Sequence, residues 1–125
     1  MKDQLNKNNS GFGALHFVQA FGWSMKGLSS AIREEAAFRQ ELLLFCVLTP
    51  LAFWLAHSGI ERAILVGSMM LVLVVELLNS AVESVVDRIS TEMHPLSGRA
   101  KDLGSAAVFL TLINAACMWG MILLG

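Results

Sequence analysis

The segment VVELLNSAVESVVDR, residues 74–88, carries polar side chains at helical intervals within an apolar stretch. These side chains are Glu76, Asn79, Ser80, Glu83 and Asp87. The spacing brings all of them to one face of an α-helix, which we call the polar stripe. A carboxylate at the centre of a bilayer costs on the order of 2.5–3.5 kcal/mol, so an apolar helix with such a stripe needs compensation and predicts a functional face.

A simpler interpretation is that the helix leaves the membrane within this segment. Glu83 and Asp87 would then be solvated, with Asp87 paired to the adjacent Arg88 as a surface ion pair. Glu76 follows the uncharged residues 63–75, so we expect it near the inner headgroup boundary, where the hydroxyl group of a membrane lipid also lies.

The composition of the whole chain indicates a membrane protein. Of its 125 residues, 55% are hydrophobic and 15% are charged, which excludes an ordinary water-soluble domain. The net charge of −1 offers no basic field for nucleic acid. Three apolar segments, 42–56, 63–86 and 103–125, predict three transmembrane helices, of which the first must extend back into AAFRQE and the second must cross Glu76.

Positive charges predict the orientation of these spans. Of the nine Lys and Arg residues, only Arg62 lies between the first and second spans. The positive-inside rule therefore places the N-terminus and residues 89–102 in the cytoplasm, and the C-terminus in the periplasm, of a bacterial inner membrane. Pro95 and Gly98 predict that this cytoplasmic segment is a loop up to the third span.

An amphipathic surface helix is expected before the first span. Its apolar positions recur at steps of three and four: Val18, Phe21, Met25, Leu28 and Ile32. We treat residues 11–125 as a single integral membrane domain, preceded by a polar tail at 1–10. Cys46 and Cys117 lie in apolar segments without metal-ligand spacing, so we expect small buried apolar residues there.

Two further polar sets accompany the polar stripe: REEAAFRQE at 33–41 and HPLSGRAKD at 94–102. All three sets are predicted on the cytoplasmic side, where ATP and Mg²⁺ are found. Together they offer carboxylates for a hard cation, positive charge for phosphates and a carboxylate to accept a hydroxyl proton, as phosphoryl transfer requires. The sequence has no GxxxxGK[ST] loop and no GxGxxG, HRD or DFG set, so a kinase here has neither common soluble architecture.

The segments EAAFRQE, VELLNSAVESVVDRIS and SGRAKDLGSAAV resemble, in order and spacing, the prokaryotic integral membrane diacylglycerol kinases. The resemblance extends from about Gly11 to the C-terminus. It implies an all-α homotrimer whose subunits have three transmembrane helices and an N-terminal surface helix. It also implies phosphorylation of diacylglycerol to phosphatidic acid with MgATP.

The resemblance implies roles for individual residues. Glu76 matches the catalytic base, Asn79 supports it one turn away, and Glu35 and Glu83 match Mg²⁺-binding carboxylates. The positions matching ATP-binding residues are His16, Trp23, Glu35, Glu83, Glu92, His94, Lys101 and Asp102. The positions matching the lipid-binding site are Arg39, Gln40, Glu76 and Ser105. His16 and Trp23 stand where relatives have arginine and tyrosine.

The spacing within the polar stripe is compatible with separate roles for its two glutamates. Glu76 and Glu83 lie roughly 10 Å apart along a helix axis, so one can serve the lipid hydroxyl while the other holds metal. A lone chain would leave the stripe partly facing lipid, which favours an assembly packed around the second helices. Two alternatives remain: an undecaprenol kinase of the same fold, and a non-enzymatic membrane transporter subunit that uses the glutamates for protons or cations.

Overall fold

The computed structural model describes residues 12–89 and 94–125. It contains four helices: α1 (Phe12–Glu34), α2 (Ala36–Leu55), α3 (Gly59–Ile89) and α4 (Pro95–Leu124). The described residues include no strand, so the predicted all-α class is confirmed. The predictions for the polar tail, residues 1–10, and for Glu92 lie outside the described residues.

Helix α1 belongs to one compact unit, and Glu35–Gly125 form another. The predicted N-terminal helix is confirmed, and its large apolar side chains are exposed, Phe17 by 75% and Phe21 by 65%. Such an apolar face beside polar residues is typical of a helix that lies in a membrane interface. Its placement on the membrane surface stays a prediction.

Helices α2, α3 and α4 are long and apolar enough to cross a membrane, and they are the three such helices among the described residues. The 20 residues of α2 span about 30 Å, close to the thickness of a bilayer's hydrocarbon core. Large apolar side chains face outward from this unit, including Trp54 at 80% and Phe109 at 62% exposure. Lipid can cover such surfaces, whereas in water they would favour aggregation.

The predicted loop at residues 89–102 is wrong in its second half. Helix α4 begins at Pro95, and Gly98 lies in its first turns. Proline is well suited to a first helical position because the amide hydrogen that it lacks would have no partner there. His94 caps the helix, since its Nδ1 accepts a hydrogen bond of 3.1 Å from the backbone N–H of Leu96. Lys101 and Asp102 consequently lie on a helix rather than in a loop.

The turn between α2 and α3 is closed by a reciprocal helix cap. The backbone N–H of Glu61 donates to Ser58 Oγ at 3.2 Å, and the Glu61 carboxylate accepts from the backbone N–H of His57 at 2.6 Å. This arrangement is a variant of the capping box, which satisfies amides that the first turn of a helix leaves without partners. It explains why so short a polar turn suffices between two spans.

One buried apolar cluster of the Glu35–Gly125 unit lies near this turn. Ala52, Ala56 and Leu65 are buried, and Trp119 packs against them. Small residues on α2 let the helices approach closely. The Trp119 Nε1–H donates to the carbonyl oxygen of Leu65 at 3.1 Å, and Ser68 Oγ donates to the same oxygen at 2.8 Å. The indole therefore fastens α4 to α3 with a hydrogen bond between helices.

The prediction that both cysteines are buried is wrong, because Cys46 and Cys117 are exposed on the outer faces of α2 and α4. In a membrane protein the outward faces are as apolar as the interior. An apolar sequence context therefore does not distinguish the two environments.

We predict that Trp119→Phe lowers the free energy of unfolding by about 0.6 kcal/mol, and by at most about 1.7, the range for hydrogen bonds between membrane helices. The reason is loss of the indole N–H donor to the Leu65 carbonyl. The measurement is thermal unfolding in detergent micelles followed by circular dichroism. Trp54→Phe is the matched control, because Trp54 is 80% exposed. Equal shifts for the two variants would contradict the role of this hydrogen bond.

Candidate active site

The side chain of Glu76 is buried in the bundle, with only 6% of its surface exposed. It lies on α3, eleven residues after Leu65, and therefore about 16 Å along the helix from the Trp119 contact. A buried carboxylate is strongly disfavoured unless charge or hydrogen bonds compensate it. The surroundings of Glu76 therefore decide what this position can do.

Three other carboxyl groups lie near Glu76. Glu41 on α2 is close enough for a hydrogen bond between the two carboxyl groups, and Glu35 and Glu83 are close enough to interact with Glu76 electrostatically. Glu35 is the N-cap residue of α2, yet its carboxylate makes no capping hydrogen bond. We call Glu35, Glu41, Glu76 and Glu83 the carboxylate cluster. Negative charges so close together favour binding of a cation or a proton.

Asn79 lies one turn after Glu76 and is also buried, with 9% of its surface exposed. Its Nδ2 donates a long hydrogen bond of 3.5 Å to Oε1 of Glu83. Its Oδ1 is buried and has no hydrogen-bond partner among the described residues. The amide thus orients one carboxylate of the cluster through its donor side.

A basic group borders the carboxylate cluster. The Lys101 ammonium on α4 forms an ion pair of 2.7 Å with the carboxylate of Asp87, near the end of α3. Glu83 also interacts electrostatically with Lys101. The ion pair is largely exposed, so it contributes little stability, but it brings a positive charge close to the cluster.

An apolar cavity of about 340 Å³ opens between α2, α3 and α4. Its wall includes Leu44, Met69 and Trp119, and among the described residues that line it only Glu41 carries a charge. One oxygen of that carboxyl group, Oε2, is buried without a hydrogen-bond partner. The cavity therefore joins an apolar space of the size of a small ligand to the carboxylate cluster.

Comparison with known proteins assigns the chain to a family. Residues 22–123 match the family described as prokaryotic diacylglycerol kinase. The chain is 51% identical over 111 residues to the diacylglycerol kinase of Haemophilus influenzae, covering 89% of this chain and 94% of that protein. It is 49% identical over 116 residues to the diacylglycerol kinase of Escherichia coli (strain K12), covering 93% of each. The chain belongs to the prokaryotic diacylglycerol kinase family.

The relative from Pseudomonas aeruginosa, also a diacylglycerol kinase, is 51% identical over 113 residues, covering 90% of this chain and 92% of that protein. Membership in the prokaryotic diacylglycerol kinase family confirms the resemblance found in the sequence. It makes the chain an enzyme with lipid kinase activity. Three apolar helices and this family fit a protein of the bacterial inner membrane.

The structure brings together only part of the predicted site. Glu35, Glu76, Asn79 and Glu83 are neighbours, with Lys101 beside them. Four other predicted site residues of the same unit are exposed on the helices where the sequence places them: Arg39, Gln40, Asp102 and Ser105. A fifth, His94, is exposed at the N-cap of α4. The last two described predictions, His16 and Trp23, are exposed on α1, which belongs to the other unit.

Glu41 is not among the site residues that the sequence predicts, although it lies in the polar set REEAAFRQE. The available signal was its position directly before the uncharged residues 42–56, where a carboxylate enters the membrane region. Periodicity within one helix does not reveal that it faces Glu76 on another. That contact depends on how α2 packs against α3.

A lone chain covers the first half of the polar stripe and leaves the second half partly exposed, which agrees with the expectation that the stripe partly faces outward. Glu76 and Asn79 are buried within one chain, Ser80 and Glu83 are half-buried, and Asp87 is exposed. Helices α2 and α4 cover the costly part of the stripe. The argument for assembly from the cost of an exposed stripe therefore applies only to its second half.

Among residues 12–89 and 94–125, no three His, Cys, Asp or Glu side chains form a group that could hold a metal ion by themselves. Mg²⁺ in kinases commonly takes one or two carboxylates and completes its coordination with substrate phosphates and water. Glu35 and Glu83 provide two such carboxylates. The donor set therefore fits Mg²⁺ held jointly with a nucleotide.

Proposed function

We propose that this protein transfers the γ-phosphate of MgATP to the hydroxyl group of diacylglycerol, forming phosphatidic acid and ADP. The observation that carries the proposal is the buried carboxyl group of Glu76, which meets Glu41 at the apolar cavity and the other carboxylates on its polar side. A lipid hydroxyl and a nucleotide can meet at such a boundary. The names of the relatives support diacylglycerol as the acceptor.

Glu76 acts as the general base in this proposal. Its carboxylate takes the proton of the lipid hydroxyl as the hydroxyl oxygen attacks the γ-phosphorus, and the bond to the β-phosphate oxygen breaks. Positioning and charge neutralisation supply most of the catalysis in phosphoryl transfer, so no covalent enzyme intermediate is required. The burial of Glu76 excludes water that would compete with the lipid hydroxyl.

Glu35 and Glu83 hold the Mg²⁺ together with the ATP phosphates. The bound ion neutralises charge on the β- and γ-phosphates. The hydrogen bond from Asn79 orients Glu83. Because Glu35 and Glu83 both lie at the cytoplasmic end of the bundle in this proposal, a nucleotide in the cytoplasm can reach them directly. Glu41 lines the apolar cavity and is not a ligand of the ion in this proposal.

The remaining contacts follow the family resemblance. Lys101 binds ATP phosphates, and its ion pair with Asp87 keeps the ammonium near Glu83 in the absence of nucleotide. The other ATP contacts come from His16, Trp23, Glu92, His94 and Asp102. The lipid contacts other than Glu76 come from Arg39, Gln40 and Ser105.

The chain crosses the membrane three times with its N-terminus in the cytoplasm and its C-terminus in the periplasm. The 31 residues of α3 extend about 46 Å, whereas the hydrocarbon core is about 30 Å thick. Projection of the last part of α3 into the cytoplasm places Glu83 and Asp87 in water and Glu76 near the headgroup boundary. That position suits a base that must meet a lipid hydroxyl.

The functional assembly is a homotrimer, as the family resemblance implies. Exposed apolar side chains on α2 and α4, such as Leu43 at 67% and Leu110 at 64%, are available for contacts between subunits. Cyclic closure is the usual way in which identical chains associate. In such an assembly the polar end of one chain can meet a nucleotide-binding residue of another.

We predict that ATP labelled at the γ-phosphate, mixed with the protein and micelles containing diacylglycerol, yields labelled phosphatidic acid. Glu76→Gln should reduce the rate about a hundredfold or more, because an amide keeps the shape but cannot accept the proton. Glu61→Gln is the matched control, since it makes the same change at the opposite end of α3.

Micelles with undecaprenol in place of diacylglycerol test the alternative acceptor. A faster reaction with undecaprenol than with diacylglycerol would identify undecaprenol as the preferred acceptor. Ion flux in vesicles without ATP consumption would favour the transporter alternative. Near-parental activity of Glu76→Gln would remove this residue from the role of base.

Metal dependence tests the two proposed ligands. Glu35→Gln and Glu83→Gln should each raise the half-saturating Mg²⁺ concentration by at least about tenfold, the effect expected even for loss of a group that only orients a ligand. Steady-state rates across a Mg²⁺ titration at saturating ATP give this value. Glu34→Gln, a neighbouring glutamate on α1, is the control. An unchanged titration would exclude the substituted carboxylate as a ligand.

Mixed assemblies test whether a site draws on two chains. We predict that inactive Glu76→Gln and Lys101→Ala proteins, unfolded together and reassembled in lipid, regain partial activity. Some mixed trimers would then combine an intact Glu76 with an intact Lys101 from different chains. Proven subunit exchange without any gain over the separate variants would contradict a site shared through this residue pair.

A further inference from the structure

Helix α4 approaches α3 closely at Gly104, which lies against the side chain of Asn79. A Cβ atom at Gly104 would overlap Oδ1 of Asn79 and lie 3.2 Å from its Cγ. The α-hydrogen that occupies this direction therefore points at Oδ1. Contacts of this kind, from Cα–H to oxygen, recur where helices pack closely.

Other glycines in the same helices lack this constraint. A Cβ at Gly67, Gly98 or Gly120 would meet nothing within 4 Å. Alanine at those positions has space and also a higher helix propensity than glycine. Of these four glycines, only Gly104 lies where an added Cβ atom would overlap a neighbouring helix.

The contact fixes the direction of the Asn79 amide. Nδ2 donates to Glu83, while Oδ1 lies against Gly104. The reverse orientation would place the amide oxygen against the carboxylate of Glu83, where two acceptors repel each other. Because Asn79 is buried, its side chain cannot avoid a group inserted at position 104 by moving into solvent.

We propose that Gly104 is a positioning residue whose missing side chain lets Asn79 hold Glu83 in the orientation that binds the metal ion. The metal part of this inference rests on the proposed function. Gly104 itself touches neither nucleotide nor lipid in this role and acts through Asn79. A methyl group at position 104 displaces the amide or separates α4 from α3, and either movement breaks the hydrogen bond to Glu83.

The test is a double-mutant cycle with Gly104→Ala and Asn79→Ala. Gly104→Ala should raise the half-saturating Mg²⁺ concentration about tenfold or more, as expected for loss of a group that orients a metal ligand, with a smaller change in the KM for ATP. Asn79→Ala should have a similar effect. The double variant should be no worse than Asn79→Ala alone, because the methyl group then has space. Gly120→Ala is the matched control and should leave the metal titration unchanged.

Thermal unfolding in micelles without metal or nucleotide provides a readout that does not depend on activity. Gly104→Ala should lower the unfolding midpoint in the parent protein and raise it in the Asn79→Ala background, where only the gain in helix propensity remains. Recovery of folding in that background supports the proposal even if Gly104→Ala alone fails to fold. Failure to fold in both backgrounds contradicts it.

Two other results would overturn the positioning role. One is that Gly104→Ala and Gly120→Ala behave alike in the metal titration and in unfolding. The other is that the effects of Gly104→Ala and Asn79→Ala simply add. An inactive parent protein, or an unchanged metal titration for Glu83→Gln, would instead contradict the proposed function, and the unfolding cycle would still report on the contact.

Discussion

The carboxyl group of Glu76 is buried within a bundle of apolar helices. An ionised carboxylate in an apolar bundle is costly, and the groups that interact with it include the carboxyl groups of Glu83, Glu35 and Glu41. Helix α2 places the carboxyl group of Glu41 beside that of Glu76, and α3 itself supplies Asn79 to orient Glu83. An arrangement with this much negative charge is poorly suited to structural packing alone, but it is suited to binding cations and accepting protons.

The two ends of the bundle solve different physical problems. Near the turn between α2 and α3, small residues and the Trp119 hydrogen bond to Leu65 hold the helices together. At the other end, polar side chains need space and defined orientations, and Gly104 provides the space for Asn79. The apolar cavity lies between these regions and is bordered by both Trp119 and Glu41. The cavity between them is apolar and, in the proposed function, suits an acyl chain of the lipid substrate.

The sequence alone predicts the helices well, because length, hydropathy and the periodic polar stripe act within single segments. It predicts the neighbours Glu76, Asn79 and Glu83 for the same reason, since all three lie on α3. It fails where the decisive partner is on another helix or in a cap. Proline is equally compatible with a loop and with the first position of a helix. In the structure His94 caps a helix that begins at Pro95. The contacts of Glu41 and Gly104 depend on packing between helices, which no periodicity records.

Hydropathy also does not show which face of an apolar membrane helix is turned toward the protein interior, so the predicted burial of Cys46 and Cys117 is wrong. Conversely, polar residues of the stripe are buried, since one chain already covers Glu76 and Asn79 while Cys46 and Cys117 are exposed. Any gain from covering the stripe by assembly is then confined to Ser80, Glu83 and Asp87, which one chain leaves partly or fully exposed. The carboxylate cluster has its positive charge at Lys101, which Asp87 already pairs within the chain. In the proposed function, nucleotide phosphates compete for that ammonium, and in the proposed homotrimer a second subunit that supplies further contacts to them would couple assembly to substrate binding.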